Sequence, residues 1–171
     1  MKHILPAILL SLLLAPALTQ ASPAQPNDPR FGDQWGLTQI GAQCAWAVTT
    51  GSADVTVAVV DSGVDMNHPD LVDRLRTDGR DFVDGDNDPS DENGHGTNVA
   101  GIVAATLANN EGIVGLAPGI RILPIRVMNA RGAGSDRAIS RGVRYAADKG
   151  AQVINLSLGA TLTIDADTVS E

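Results

Sequence analysis

Hydrophobic residues along this chain follow two alternating spacings. Residues 55–60 form a short run rich in β-branched side chains, VTVAVV, that stops at Asp61. This is the pattern of a buried strand presenting a carboxylate at its carboxyl end. Residues 97–107 read as an alanine-rich helix, with Gly96 and Thr97 supplying its start. Residues 121–128 are a second apolar strand. Residues 135–149 have apolar side chains at helical spacing, with Ala138, Ile139, Val143, Ala146 and Ala147 on the inner face, Ser135 as N-cap and Gly150 as C-terminal stop. A last strand over residues 152–158 follows at once, and a shorter helical stretch over residues 37–48 precedes them all. Strand, helix, strand, helix, strand predicts an α/β fold with a parallel sheet and crossover helices. Ligands on such sheets bind beyond the carboxyl ends of the strands, where Asp61 and Gly159 fall. The residues after Leu158 are too few to cover the next edge of the sheet, so the fold is expected to be C-terminally truncated.

Composition changes this picture little. With 171 residues, 43% hydrophobic and 19% charged, the chain is globular in character with room for one core. A net charge of −8 argues against a nucleic-acid partner. Cys44 is the single cysteine, so no internal disulfide forms and stability must come from packing or metal. Its place beside Ala45 and Trp46 in the helical stretch predicts a buried structural thiol. At the N-terminus, Lys2 and His3 precede an apolar run over residues 4–14, and small residues surround Ala17 to Ala21. The run is short for a transmembrane helix, which needs about 20 residues. A signal peptide over residues 1–21 is therefore expected, cleaved after Ala21 with Thr19 and Ala21 at the small-residue positions. The product would be exported, extracellular or periplasmic, with no stable membrane anchor.

The acidity is concentrated. Asp81, Asp84, Asp86, Asp88, Asp91 and Glu92 lie within one segment, where the carboxylates would repel one another without a cation. Hard oxygen ligands at short spacing suit calcium. An EF-hand is excluded, because counting from Asp84 puts Pro89 where that loop needs glycine and His95 where it needs a glutamate.

The second titratable feature is a pair of motifs, VAVVDSGVDMNHPDL around Asp61 and NGHGTNVAG around His95. A histidine that shuttles a proton needs a buried carboxylate to hold its tautomer, and these two residues have the setting for those roles. Gly94 and Gly96 let the chain bring the imidazole to the sheet. Together with NDPRF, DFVDGDNDP, GLAP and VINLSLG, which extend the match from about Asn27 to Gly159, these motifs resemble the subtilisin-like serine proteases (subtilases), in particular their thermitase-type branch. In that family the triad runs Asp, His, Ser along the chain. The resemblance implies a three-layer subtilisin-like fold, a parallel β-sheet flanked by helices, with residues 22–171 as the N-terminal part of a peptidase domain.

It also implies site residues. Asp61 and His95 would be catalytic. Gly132, Ala133 and Gly134 match an edge to which an extended peptide adds as a strand, and Ser157, Leu158 and Gly159 match the wall of the primary specificity pocket. Asp81, Asp84 and Asp86 match the side-chain ligands of a calcium loop, with Asp88 and Ser90 following. Asp28, Asp70 and Asn109 match a second, strong calcium site, with backbone carbonyls from Thr106, Glu111 and Ile113. Two positions depart from the family's pattern: Asn98 stands where a second histidine is usual, and Ala160 where glycine is common beside the pocket.

No segment matches the family's Gly-Thr-Ser-Met-Ala nucleophile motif or its Ala-Gly-Asn oxyanion motif, and Asn155, inside a strand, is not that donor. Two functions follow. The chain is part of an exported, calcium-dependent serine endopeptidase that acts on extended peptides or proteins and requires the missing C-terminal half as partner, or it is a non-catalytic calcium- or peptide-binding remnant.

Overall fold

The computed structural model describes residues 26–159. The expected signal peptide and Ala160 lie outside the described residues. A 3-10 turn, Phe31–Asp33, opens the described chain. Then follow α1 (Trp35–Gln39), α2 (Ala42–Trp46), β1 (Thr56–Asp61), β2 (Arg80–Asp81), α3 (His95–Ala104), β3 (Arg121–Arg126), α4 (Asp136–Asp148) and β4 (Val153–Asn155). All described strand pairings between these elements are parallel, in the order β2-β3-β1-β4.

β1 is central because both of its faces are apolar, and all six of its residues are buried. Alternation splits it between two cores. Val57 and Val59 pack with Ala100 and Ala104 of α3, whereas Ala58 and Val60 pack with Ala138 and Ala146 of α4. Helices therefore cover both faces, giving the expected three layers. The chain passes from β1 beyond β3 to the edge strand β2, returns to β3 through α3, and then passes β1 to reach β4 through α4. The strands that follow β1 lie on both sides of it, β3 and β2 on one and β4 on the other, and Asp61 ends β1 where they divide.

Four expectations need correction. The stretch 37–48 is not one helix: Gly41, at φ 70°, separates α1 from α2. Cys44 is exposed, because α2 buries Ala42 and Trp46, four residues apart, and a residue midway between them points away. On α4 the buried positions are Ala138, Gly142 and Ala146, while Ala147 is exposed and Ile139 and Val143 are partly buried. Gly142 belongs to this face because a Cβ there would stand 2.7 Å from Val127 Cγ1. The last strand spans three residues instead of seven. Ser135 caps α4 as expected, its Oγ accepting from Ala138 N–H at 3.1 Å.

Candidate active site

Asp61 extends the odd-numbered face of β1 toward α3, and α3 begins with His95. The two side chains meet, His95 Nδ1 lying 2.7 Å from Asp61 Oδ1. The carboxylate is completely buried while the histidine side chain is 48% exposed, so one end of the ring is anchored and the other faces solvent. Asp61 Oδ1 also accepts the Ser62 N–H at 2.7 Å, whereas Oδ2 is buried without a partner among the described residues. The approach of α3 to β1 depends on Gly96, where a Cβ would fall 2.0 Å from the Gly63 carbonyl oxygen.

Beside His95 lies a cleft of about 360 Å³, lined by Asn93, Met128, Arg131, Gly132 and the three residues Ser157, Leu158 and Gly159. The structure thus brings the histidine, one glycine of the 132–134 segment and the whole 157–159 segment to one cavity. Ala133 and Gly134 line a separate cavity on the α4 side. Ala133 is tied inward, its carbonyl accepting Asn129 N–H at 2.9 Å. Among the described residues, the Gly132 carbonyl and the Gly134 N–H make no hydrogen bond, which leaves them available to an added strand.

The acidic segment is arranged differently from what its density implies. Arg126, at the end of β3, is buried and stands in register with both Asp61 and Asp81. Its Nη1 donates to Asp81 Oδ2 at 2.7 Å and to Asp84 Oδ2 at 2.9 Å, and its Nη2 donates to Glu92. Burial opposes the Arg126 charge, but attraction from Asp81, Glu92 and Asp84 outweighs it and raises the pKa. Three of these carboxylates therefore share one guanidinium supplied by the chain itself. Asp81 has both oxygens occupied, Oδ1 accepting the N–H groups of Val83 and Asp84. Asp86 Oδ1 accepts from Asp88 N–H at 2.9 Å, and Asp88 Oδ1 from the Ser90 hydroxyl at 2.5 Å, both exposed. Among the described residues no three His, Cys, Asp or Glu side chains converge as a metal cluster.

Asp28, Asp70 and Asn109 do come together. Asp28 and Asp70 are buried, and neither has a cationic partner among the described residues. Asp28 accepts from the N–H groups of Ala108 and Asn109, and Asp70 accepts from Asn109 Nδ2 at 2.9 Å and Ile113 N–H at 3.0 Å.

The fold is a parallel sheet between two helical layers, with a buried aspartate at the end of β1 meeting a histidine at the start of α3. The sequence model of the Subtilase family matches residues 52–171, and the chain belongs to that family. It is 49% identical over 138 residues to thermitase of Thermoactinomyces vulgaris, covering 80% of this chain and 49% of thermitase. It is 50% identical over 135 residues to the thermophilic serine proteinase of Bacillus sp. (strain AK1), covering 78% of this chain and 33% of that protein. It is 38% identical over 141 residues to the halolysin-like extracellular serine protease Nep of Natrialba magadii, covering 78% of this chain and 26% of that one. The chain spans half or less of the length of these relatives.

Proposed function

We propose that the described residues carry the proton-handling and peptide-cradling part of a serine endopeptidase site. The observation that carries this reading is the 2.7 Å contact between His95 Nδ1 and Asp61 Oδ1 at the mouth of the cleft. With Nδ1 protonated and held by Asp61, the other ring nitrogen is free to take a proton from a serine hydroxyl as that oxygen attacks a peptide carbonyl, then to return it to the leaving amine. Gly132 and the 157–159 segment would hold the peptide on either side. Three serines are committed elsewhere: Ser62 Oγ donates to Asp91, Ser135 caps α4 and Ser157 accepts from Asn155. The nucleophile would come from a segment outside the described residues. Alone, the chain is expected to take no label from a serine-directed fluorophosphonate.

The decisive test is a chimera joining residues 26–159 to the remaining C-terminal portion of T. vulgaris thermitase. Fluorophosphonate labelling of the chimera, abolished by His95→Ala and strongly reduced by Asp61→Asn, supports the assignment. A folded chimera labelled equally with and without His95 overturns it and favours a non-catalytic binding role.

Calcium belongs to the same proposal. Asp28, Asp70 and Asn109 fit a hard cation: the two carboxylates are buried without a counter-charge, and the carbonyls of Thr106, Glu111 and Ile113 accept no hydrogen bond among the described residues. Gly112 leaves a cradle, since a Cβ there would lie 2.6 Å from Asp70 Oδ2. Bound calcium would supply the missing positive charge and tie the N-terminal arm to the sheet. The inner half of the acidic loop does not fit, because Asp81 is committed to Arg126. Asp86, Asp88 and Ser90, which make no hydrogen bond to Arg126, are the residues of that loop left to meet calcium. Export is part of this reading, on the strength of the apolar N-terminal run; no helix among the described residues is long and apolar enough to cross a membrane.

A further inference from the structure

The carboxylate with the most hydrogen bonds near the site is one that the reading above leaves without a role. Asp91 Oδ1 accepts from the Ser62 hydroxyl at 2.8 Å and from the N–H groups of Asn93 and Gly94, both at 2.9 Å. Its Oδ2 accepts from the Thr97 N–H at 3.0 Å and the Thr97 hydroxyl at 2.6 Å. Two of these partners pass the connection on. Ser62 Oγ accepts the Gly96 N–H at 3.0 Å, and Thr97 Oγ1 accepts the Asp65 N–H at 2.9 Å. Ser62 directly follows Asp61, and Gly96 and Thr97 directly follow His95. One side chain thus clamps the residue after the carboxylate to the two residues after the imidazole.

The clamp is anionic and has no cationic partner among the described residues. Burial works against its charge. The Thr97 hydroxyl and the N–H groups of Gly94, Asn93 and Thr97 outweigh that cost and hold the carboxyl below its usual range. Satisfying the free N–H groups at the start of α3 would be a capping role alone. The link to Ser62 goes further, because it joins α3 to the loop after β1, and β1 and α3 share no backbone hydrogen bond that would fix the distance between Asp61 and His95.

We propose that Asp91 is a positioning residue that sets the separation and ring orientation of the Asp61–His95 pair through Ser62 and Thr97. The proposal rests on the reading of that pair as the acid–base unit. It touches neither substrate nor the reacting atoms, and it acts by removing the freedom of α3 to slide along β1.

The test uses nitrogen-15 NMR on the full chain, reading the His95 ring tautomer and its Nδ1 proton, assigned by their loss in His95→Ala. The unmodified chain is expected to show a downfield, slowly exchanging Nδ1 proton that Asp61→Ala abolishes. In Asp91→Ala that proton should exchange at least about tenfold faster, the scale of one lost hydrogen bond to a charged group. The amide signals of β1 and β3 and the Trp46 indole signal should remain in place. Asp91→Asn, which can still accept from Asn93 and Gly94 but cannot serve all five donors, should fall between the two. Should Asp91→Ala fail to fold, Ser62→Ala and Thr97→Val remove its two hydroxyl links while leaving the carboxylate and its backbone N–H bonds in place, and each should accelerate the exchange, by less than Asp91→Ala would. Unchanged His95 signals in folded Asp91→Ala, or in both substitute variants, overturn the proposal while leaving the acid–base reading intact. Absence of the downfield proton from the unmodified chain overturns that reading, and the positioning role with it.

Discussion

Two groups of carboxylates in this protein solve the same electrostatic problem in opposite ways. In the segment 81–92, Asp81 is buried at 1% exposure and its charge is met by Arg126, which also reaches Asp84 and Glu92. At the N-terminal arm, Asp28 and Asp70 are buried at 5% and 2% exposure and are met only by N–H groups and the Asn109 amide. Neutral donors reduce the cost of burying an anion, but they do not cancel a second anion nearby. The first group carries its own cation in the sequence. The second has no cationic partner among the described residues. Carboxylate density alone does not separate these regions; what separates them is that the dense one contains a buried guanidinium shared by three of its carboxylates.

The largest expected effect breaks the first half of this contrast. Arg126→Leu leaves Asp81 buried with no counter-charge, a change that typically costs about 3–5 kcal/mol. Urea unfolding of the full chain should show that loss, or a chain too unstable to fold. Millimolar calcium should restore part of it, since the loop's carboxylates then lack the guanidinium that competes with the ion. A loss that calcium does not touch would mean that the loop geometry excludes a metal altogether.

Next in size is the calcium response of the arm. Ligand present at a hundredfold over its dissociation constant stabilises a fold by about 2.7 kcal/mol. Calcium added to the metal-stripped chain should therefore raise its melting temperature, and Asp70→Asn should remove most of that rise. The double variant Asp84→Ala, Asp86→Ala should keep it. The reverse result, in which the loop variant loses the response and Asp70→Asn retains it, would invert the comparison. Gly112→Ala sharpens the same point: a methyl group 2.6 Å from Asp70 Oδ2 should weaken calcium binding measurably in calorimetry.

Much of this was legible in the sequence because it is local. The β-branched run before Asp61, the glycine beside His95 and the spacing of Ala138 and Ala146 each predict structure within a few residues, and the elements fall where that spacing puts them. The partners of Arg126 are 34 to 45 residues away, joined only by the parallel register that aligns Arg126 with Asp81. One signal was available: an arginine ends an otherwise apolar run that folds as a buried strand, and a buried guanidinium needs anions. Cys44 was misplaced for a related reason. Its neighbours are hydrophobic, but a helix buries residues three or four apart, so a place midway between Ala42 and Trp46 puts the thiol on another face.

The smallest prediction separates the two halves of the acidic loop. Asp88 and Ser90 bond to each other on an exposed surface, out of reach of Arg126 by any hydrogen bond of the described residues. If the loop is held by the guanidinium, Asp88→Ala should change stability by no more than about 0.5 kcal/mol, the range of ordinary surface substitutions. Calorimetric calcium stoichiometry should also stay the same. If calcium instead organises the loop, removing one of its outer ligands should cost stability only when calcium is present. Comparing unfolding of Asp88→Ala with and without the ion therefore distinguishes an arginine-held loop from a metal-held one, even though the change itself is small.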